Sequence, residues 1–233
     1  MNNVYQLNVN IKSSDRDMYD NITMWSILEL FQEASFKHVV DEKIGYQDML
    51  LKNALWVLVG INVNVVDDVC DNVAVKTWQK KKGRAEFIRN YSIESDRKVL
   101  VLASSKWCLI DKNTRKILPS SIVQCDISSD YLEVDEPKKL MFDFDLDMVT
   151  STKVTKSLID HNFHMNNCNY ARLIYDVIDI DNKKIKSFEI SFLNEAILND
   201  LIEIYRKKIG NDWFVLGKVN SNICFKAKVS LGE

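Results

Sequence analysis

A chain of 233 residues, 46% apolar and 27% charged, has ordinary globular composition and material for one large core or two moderate ones. A formal net charge of -2 gives no support for nucleic acid as a partner. The five cysteines are scattered without a CxxC pair and read as free thiols of a reducing cytoplasm, the expected location.

The chain opens polar. Residues 1–19 lack the apolar stretch of a secretory leader, and Leu7, Val9 and Ile11 alternate as a short strand. A polar turn follows at 13–17. Ile27, Leu28, Phe31, Ser35 and Val39 then fall on one face of a helix predicted over 24–41, with Gly45 closing the region. A strand-rich block comes next. Val57, Val59, Ile61, Val63 and Val65 alternate, as do Phe87, Tyr91 and Ile93, and then Val99, Val101, Ala103, Trp107 and Leu109. Residues 80–84 and 111–114 read as the turns between these strands. The stretch 119–147 holds both prolines, Pro119 and Pro137, an acidic bias and no sustained period. Beyond it a strand to about Leu158 leads into a polar cluster, Asp160-His161-Asn162-Phe163-His164-Met165-Asn166-Asn167. From there Tyr170, Leu173, Ile174, Val177 and Ile178 recur at helix spacing, and strands are predicted at 188–192, 201–205, 213–219 and 223–229. No uninterrupted apolar run is long enough to span a membrane, so no membrane insertion is expected.

The two halves repeat one pattern of strand, helix and several antiparallel strands. At a constant offset, Val59-Gly60-Ile61-Asn62-Val63 followed by Asp71-Asn72-Val73-Ala74-Val75 corresponds to Phe188-Glu189-Ile190-Ser191-Phe192 followed by Asp200-Leu201-Ile202-Glu203-Ile204. A repeat this long indicates duplicated domains rather than a solenoid. One long helix per antiparallel sheet is an α+β arrangement in which the sheet curls around the helix, so two tandem hot-dog domains are predicted. The expected division is residues 1–122 for the first domain, 123–148 for a connection and 149–233 for the second. The duplication fails at the polar cluster, whose first-half counterpart, Asn21-Ile22-Thr23, has no histidine. Proton chemistry therefore falls to the second half.

Asp160, Asn162 and His164 are spaced two residues apart, so an extended backbone would point all three the same way. They precede a helix N-terminus, where free N–H groups and the dipole favour developing negative charge. An elaborate helix cap accounts for the same residues, and spacing alone does not choose between them. His38 reads as a structural histidine of the first helix, His161 as facing solvent or the other half, and Cys168 as packing. Three histidines without a cysteine cluster make no metal site, and without a glycine-rich phosphate loop or dinucleotide fingerprint no cofactor is expected.

Taken together, Leu30-Phe31-Gln32-Glu33-Ala34 with His38 and Gly45, Trp56-Val57-Leu58, Thr77-Trp78, Trp107 with Leu109-Ile110-Asp111, the run from Asp160 through Asn167 to Tyr170, and Glu195-Ala196 with Asp200 carry a resemblance. The chain resembles the acyl-ACP thioesterases, which hydrolyse fatty acyl chains from acyl carrier protein and so end fatty acid synthesis. The likeness covers nearly the whole length, and Asp-x-Asn-x-His-x-Asn-Asn is its most specific piece.

The resemblance implies a catalytic set of Asn162, His164 and Glu195 supported by Asp160. Glu195 would act as base or as nucleophile, working with His164. Asn162 would hold water or substrate, and Asp160 would fix the Asn162 amide. Backbone N–H groups near Asn166 and Asn167 would polarise the thioester carbonyl. Plant members carry a cysteine directly after the glutamate; Ala196 stands there in this chain, which excludes a Cys/His scheme at that position. The implied partner is acyl carrier protein with its phosphopantetheine-linked acyl chain, the first domain binding the tail. Lys80, Lys81, Lys82 and Arg84 read either as a solvated hairpin turn or as a docking surface for that acidic carrier, with Arg206, Lys207 and Lys208 competing. Acyl-CoA hydrolysis and non-catalytic acyl binding stand as alternative functions, and a homodimer is left open.

Overall fold

The structure is a computed structural model and describes residues 3–128 and 131–232. Positions 1 and 233 of the expected domain bounds and 129–130 of the expected connection lie outside the described residues. Two compact units are present, Met1–Asp15 with Glu29–Pro137, and Arg16–Leu28 with Lys138–Glu233. The expected connection is thus divided, residues 123–137 going with the first unit and 138–148 with the second.

The first unit holds β1 (Tyr5–Asn10), α2 (Tyr46–Leu51), β2 (Ala54–Val65), β3 (Asn72–Lys82), β4 (Glu86–Ser95), β5 (Lys98–Asp111) and a short β6 (Ile117–Leu118), with most of α1 (Met24–Asp41). Its antiparallel strands run in the order β1-β3-β4-β5-β2, with β6 on β5. The second holds β7 (Asp147–Lys153), α3 (Asn167–Tyr175), β8 (Lys184–Phe192), β9 (Leu201–Ile209), β10 (Asp212–Val219) and β11 (Asn222–Gly232). Its order is β7-β9-β10-β11-β8. Counted within each unit, both sheets follow the same path: first, third, fourth, fifth, second. The internal repeat is therefore a repeat of topology.

α1 spans the predicted 24–41. Thr23 caps it, its hydroxyl accepting the Ser26 N–H at 3.2 Å. Its C-terminus closes with Lys43 at φ 58, while Ile44 N–H bonds back to Val39 O at 2.9 Å and Lys43 N–H to Val40 O at 3.0 Å. Gly45, read as the end of that region, instead starts α2, where its N–H bonds to the Asp48 carboxylate at 3.0 Å. Within the first unit, Phe31 of α1 packs on Tyr91 of β4 at a ring separation of 4.7 Å, and both are buried.

A polar belt crosses this unit's inner face. Gln79, Arg89 and Ser105 lie in register on β3, β4 and β5 and are all buried. Arg89 donates to Nδ1 of His38 on α1 at 2.8 Å and to the Thr77 hydroxyl at 3.2 Å. Accepting at Nδ1 leaves the neutral His38 ring its proton on Nε2, which lies 3.7 Å from Glu42 Oε1. Burial, with the Arg89 charge adding, pushes the His38 imidazole down to about 4. On one side of the belt lie Ile44, Met49, Ala54, Phe87, Leu109 and Val123. On the other lie Phe31, Tyr91, Ile93 and Val101.

The sheet's outer face is covered by residues 131–137. Tyr131 meets Trp78 edge-on at 4.9 Å, and Val134 is buried. That cover explains why β4 is buried on both faces, where alternation alone predicts one. Lys80, Lys81 and Lys82 belong to β3, so the turn is shorter than the charges suggested.

In the second unit Tyr170 of α3 packs against Phe192 and Phe225 at 5.6 and 5.2 Å. α3 is nine residues long, shorter than the apolar pattern implied. Val177 and Ile178 are buried, but in the turn that follows it. β7 likewise ends at Lys153 rather than near Leu158, because Val154 N–H bonds to Asp200 O at 2.8 Å and 156–158 coil into one 3-10 turn.

Candidate active site

The polar cluster is a turn, not the extended strand that its spacing suggested. The Asp160 carboxylate accepts the Asn162 N–H at 2.8 Å, the side-chain-to-backbone bond that lets Asp start turns. Phe163 N–H bonds to Asp160 O at 3.1 Å and Asp160 N–H to His164 O at 2.9 Å. Phe163 sits at φ 66, uncommon for a bulky residue. Asp160 thus ties the backbone of Asn162 rather than its side-chain amide, and the Asn162 side chain is exposed.

After the turn, His164 and Met165 make a two-residue β segment. Met165 pairs with Ile159 on one side, and His164 pairs with Ile197 on the other. Met165 N–H bonds to Ala196 O at 2.8 Å. The loop after β8 is itself fastened: Leu193 N–H bonds to Cys224 O at 2.8 Å, and the Asp200 carboxylate accepts Ile197 N–H at 2.8 Å. Two segments far apart in sequence are thereby aligned through their main chains.

The alignment brings the expected acid–base pair together. Nε2 of His164 lies 3.1 Å from Oε2 of Glu195, with side chains 29% and 40% exposed, so the pair is reachable from solvent. Ala196, next to the glutamate, is fully buried. Below it sits Tyr170, whose phenol burial holds well above its ordinary range; Cys224, Glu195 and Asp200 push the same way and the Ala196 main chain opposes.

Asn166 is the cap of α3, its Oδ1 accepting the Cys168 N–H at 2.9 Å, so the cap reading holds for this residue. Its own N–H is committed to Leu158 O at 2.9 Å. The Asn167 N–H, at the first position of α3, has no acceptor among the described residues. Asp200 as a loop clamp and Tyr170 as a floor were missed as site elements. An Asn199-Asp200 turn signal marks the first, and nothing local marks the second.

Of the expected docking residues, three are engaged within the first unit. Lys80 Nζ donates to Val134 O at 3.3 Å, Lys82 Nζ to Val123 O at 2.9 Å, and Lys81 pairs with Glu136 at 3.3 Å. Arg84 is exposed. His38 is buried in the polar belt and Cys168 is buried in α3. Among the described residues, no group of three or more His, Cys, Asp or Glu is placed to hold a metal ion. No helix among them is long and apolar enough to cross a membrane, which says nothing of membrane barrels built from strands.

Two units of one strand order, each an antiparallel sheet packed on a helix, define a tandem hot-dog protein of the α+β class. An acyl-ACP thioesterase from Bacteroides thetaiotaomicron shares this fold, with TM-score 0.84 over 99% of this chain and 98% of its own at 23% identity. So does a 12:0-ACP thioesterase from Umbellularia californica, with TM-score 0.83 over 100% and 98% at 17% identity. Residues 2–131 match the acyl-ACP thioesterase N-terminal domain, and 132–229 match the C-terminal domain. The chain belongs to the acyl-ACP thioesterase family and is a thioester hydrolase. No curated protein sequence matches it.

Proposed function

We propose that this protein releases free fatty acid from acyl carrier protein, ending fatty acid synthesis, with Glu195 as general base for water and His164 as its partner. The observation that carries the reading is the solvent-reachable 3.1 Å contact between His164 and Glu195. Glu195 takes a proton from water as the oxygen attacks the thioester carbonyl carbon. The tetrahedral oxyanion meets the Asn167 N–H at the positive end of α3. Glu195 hands the proton it took to His164 across the 3.1 Å contact, and the C–S bond breaks. His164 passes that proton to the departing thiolate, and the fatty acid leaves with both side chains back in their starting state. Asn162 on its exposed turn steadies the attacking water, and Asp160 holds that turn. The interior of the first unit, between α1 and its sheet, takes the acyl tail. The phosphopantetheine thiol of acyl carrier protein is the leaving group.

The test is release of free fatty acid from a series of acyl-ACPs of graded chain length, with acyl-CoA as control. The wild-type chain is expected to prefer the carrier-bound substrate. His164→Ala and Glu195→Ala are expected to lose about 10²–10⁴-fold in turnover while remaining folded. Undiminished hydrolysis by both variants would remove the site assignment, and a preference for acyl-CoA would replace the carrier as substrate.

A further inference from the structure

The two segments that carry the reacting pair also hold large apolar side chains left open to solvent. Phe163 is 81% exposed, Leu193 48%, Ile197 50% and Leu198 39%. All four lie in the two segments that meet through the His164–Ile197 pairing, so they form one rim beside His164 and Glu195. Scattered exposed apolar residues need no explanation, but a contiguous group beside a reactive pair marks a contact surface. Phe163 sharpens the point. A bulky side chain at φ 66 is a strained choice where Asn or Gly would sit at ease, and here it presents its ring outward.

The border of the rim carries both signs: the Asp160 and Asp200 carboxylates are bonded to the Asn162 and Ile197 N–H groups, and two lysines stand beside them. Lys153 pairs across to Leu201 of β9, and Asn199 N–H bonds to Val154 O at 2.9 Å, which sets Lys153 and the following Lys156 beside the loop that carries Leu198. Both lysines are exposed, and neither is in an ion pair among the described residues. Lys80, Lys81 and Lys82, by contrast, are tied to 123–136.

We infer that Phe163, Ile197 and Leu198, bordered by Lys153 and Lys156, form the docking surface for the acidic carrier protein that bears the thioester. This deepens the proposed function and rests on its carrier-bound substrate. Apolar contact at the centre supplies affinity, and the lysines steer an acidic partner. Continuity with His164 and Glu195 means that a carrier seated there delivers its pantetheine arm directly to the reacting pair.

The test compares acyl-ACP with the matching acyl-pantetheine, which has no carrier. Phe163→Asn removes the ring while suiting the left-handed backbone, so the fold is expected to persist. Its KM for acyl-ACP should rise about tenfold, equivalent to one tenfold step in affinity, with acyl-pantetheine hydrolysis little changed. The Lys153→Glu, Lys156→Glu double variant should raise the same KM, and the wild-type KM should climb with salt. Equal losses on both substrates would assign Phe163 to the chemistry instead, and unchanged KM in both variants would overturn the surface. A dimer of the wild type that Phe163→Asn converts to monomer would make the rim a contact between copies, also overturning it. Wild-type protein that cleaves acyl-pantetheine but not acyl-ACP would defeat the proposed substrate itself, a different failure.

Discussion

Glu195 Oε2 stands 3.1 Å from His164 Nε2 because Met165 and Ala196 share a main-chain hydrogen bond of 2.8 Å. The contact is set by backbone, and both side chains are partly exposed. Glu195→Gln, which keeps the shape and removes the proposed base, should cut turnover by at least about 10²-fold. Its unfolding free energy should stay within roughly 0.5 kcal/mol of wild type. Single-turnover hydrolysis alongside urea unfolding separates the two effects.

Asp160 acts on the turn through one oxygen, the acceptor for Asn162 N–H. Asparagine can offer the same acceptor, and alanine cannot. Asp160→Asn is expected to retain most of the turnover, while Asp160→Ala loosens the turn and lowers it together with about 1 kcal/mol of stability. Equal losses in the two variants would show that the carboxylate charge, not the acceptor, is what matters.

His38 gives stability a pH dependence. Its folded value of about 4 lies below the ordinary 6.5, so between these values the unfolded chain binds the proton more readily. Its contribution is complete above about pH 6.5 and is lost as pH falls toward 4, a span worth roughly 3 kcal/mol. Glu42, pushed upward chiefly by burial, acts in the opposite sense and offsets part of this. The difference in unfolding free energy between wild type and His38→Gln, followed from pH 7 to 5, isolates the histidine. It should shrink as pH falls.

Gly217 of β10 faces Phe225 of β11 in register, and a Cβ at 217 would overlap the Phe225 ring. The ring is fully buried and cannot swing away. Gly217→Ala should destabilise the protein by about 1–3 kcal/mol, read as a drop in the denaturation midpoint with turnover of the surviving folded protein nearly unaltered.

The strands of the first half were legible because Val57 to Val65 and Val99 to Leu109 alternate, with Ser105 the one polar break in the second run, and tertiary context only extended their ends. The six residues of α2 show no apolar period, so nothing announced that helix. Lys80 to Lys82 looked like a turn on charge alone; their partners, Val123, Val134 and Glu136, lie far down the chain, and no local pattern encodes such ties. The candidate site was legible in the identity of its residues and not in their geometry. Asp160, Asn162 and His164 have strand spacing, yet an Asp-to-backbone bond and a left-handed Phe163 fold them into a turn. The glutamate partner could be named from resemblance, whereas the pairing that delivers it depends on β8 and α3 being placed first.

The frame around His164 is tied chiefly by peptide groups: Asp160 to His164, Met165 to Ala196, Asn166 to Leu158 and Leu193 to Cys224. Peptide groups are common to every residue except proline at its nitrogen, so the frame makes few demands on the side chains at 193, 197 and 198. A protein engineer could exchange those positions in combination and alter which thioesters are accepted, without rebuilding the ground on which they stand.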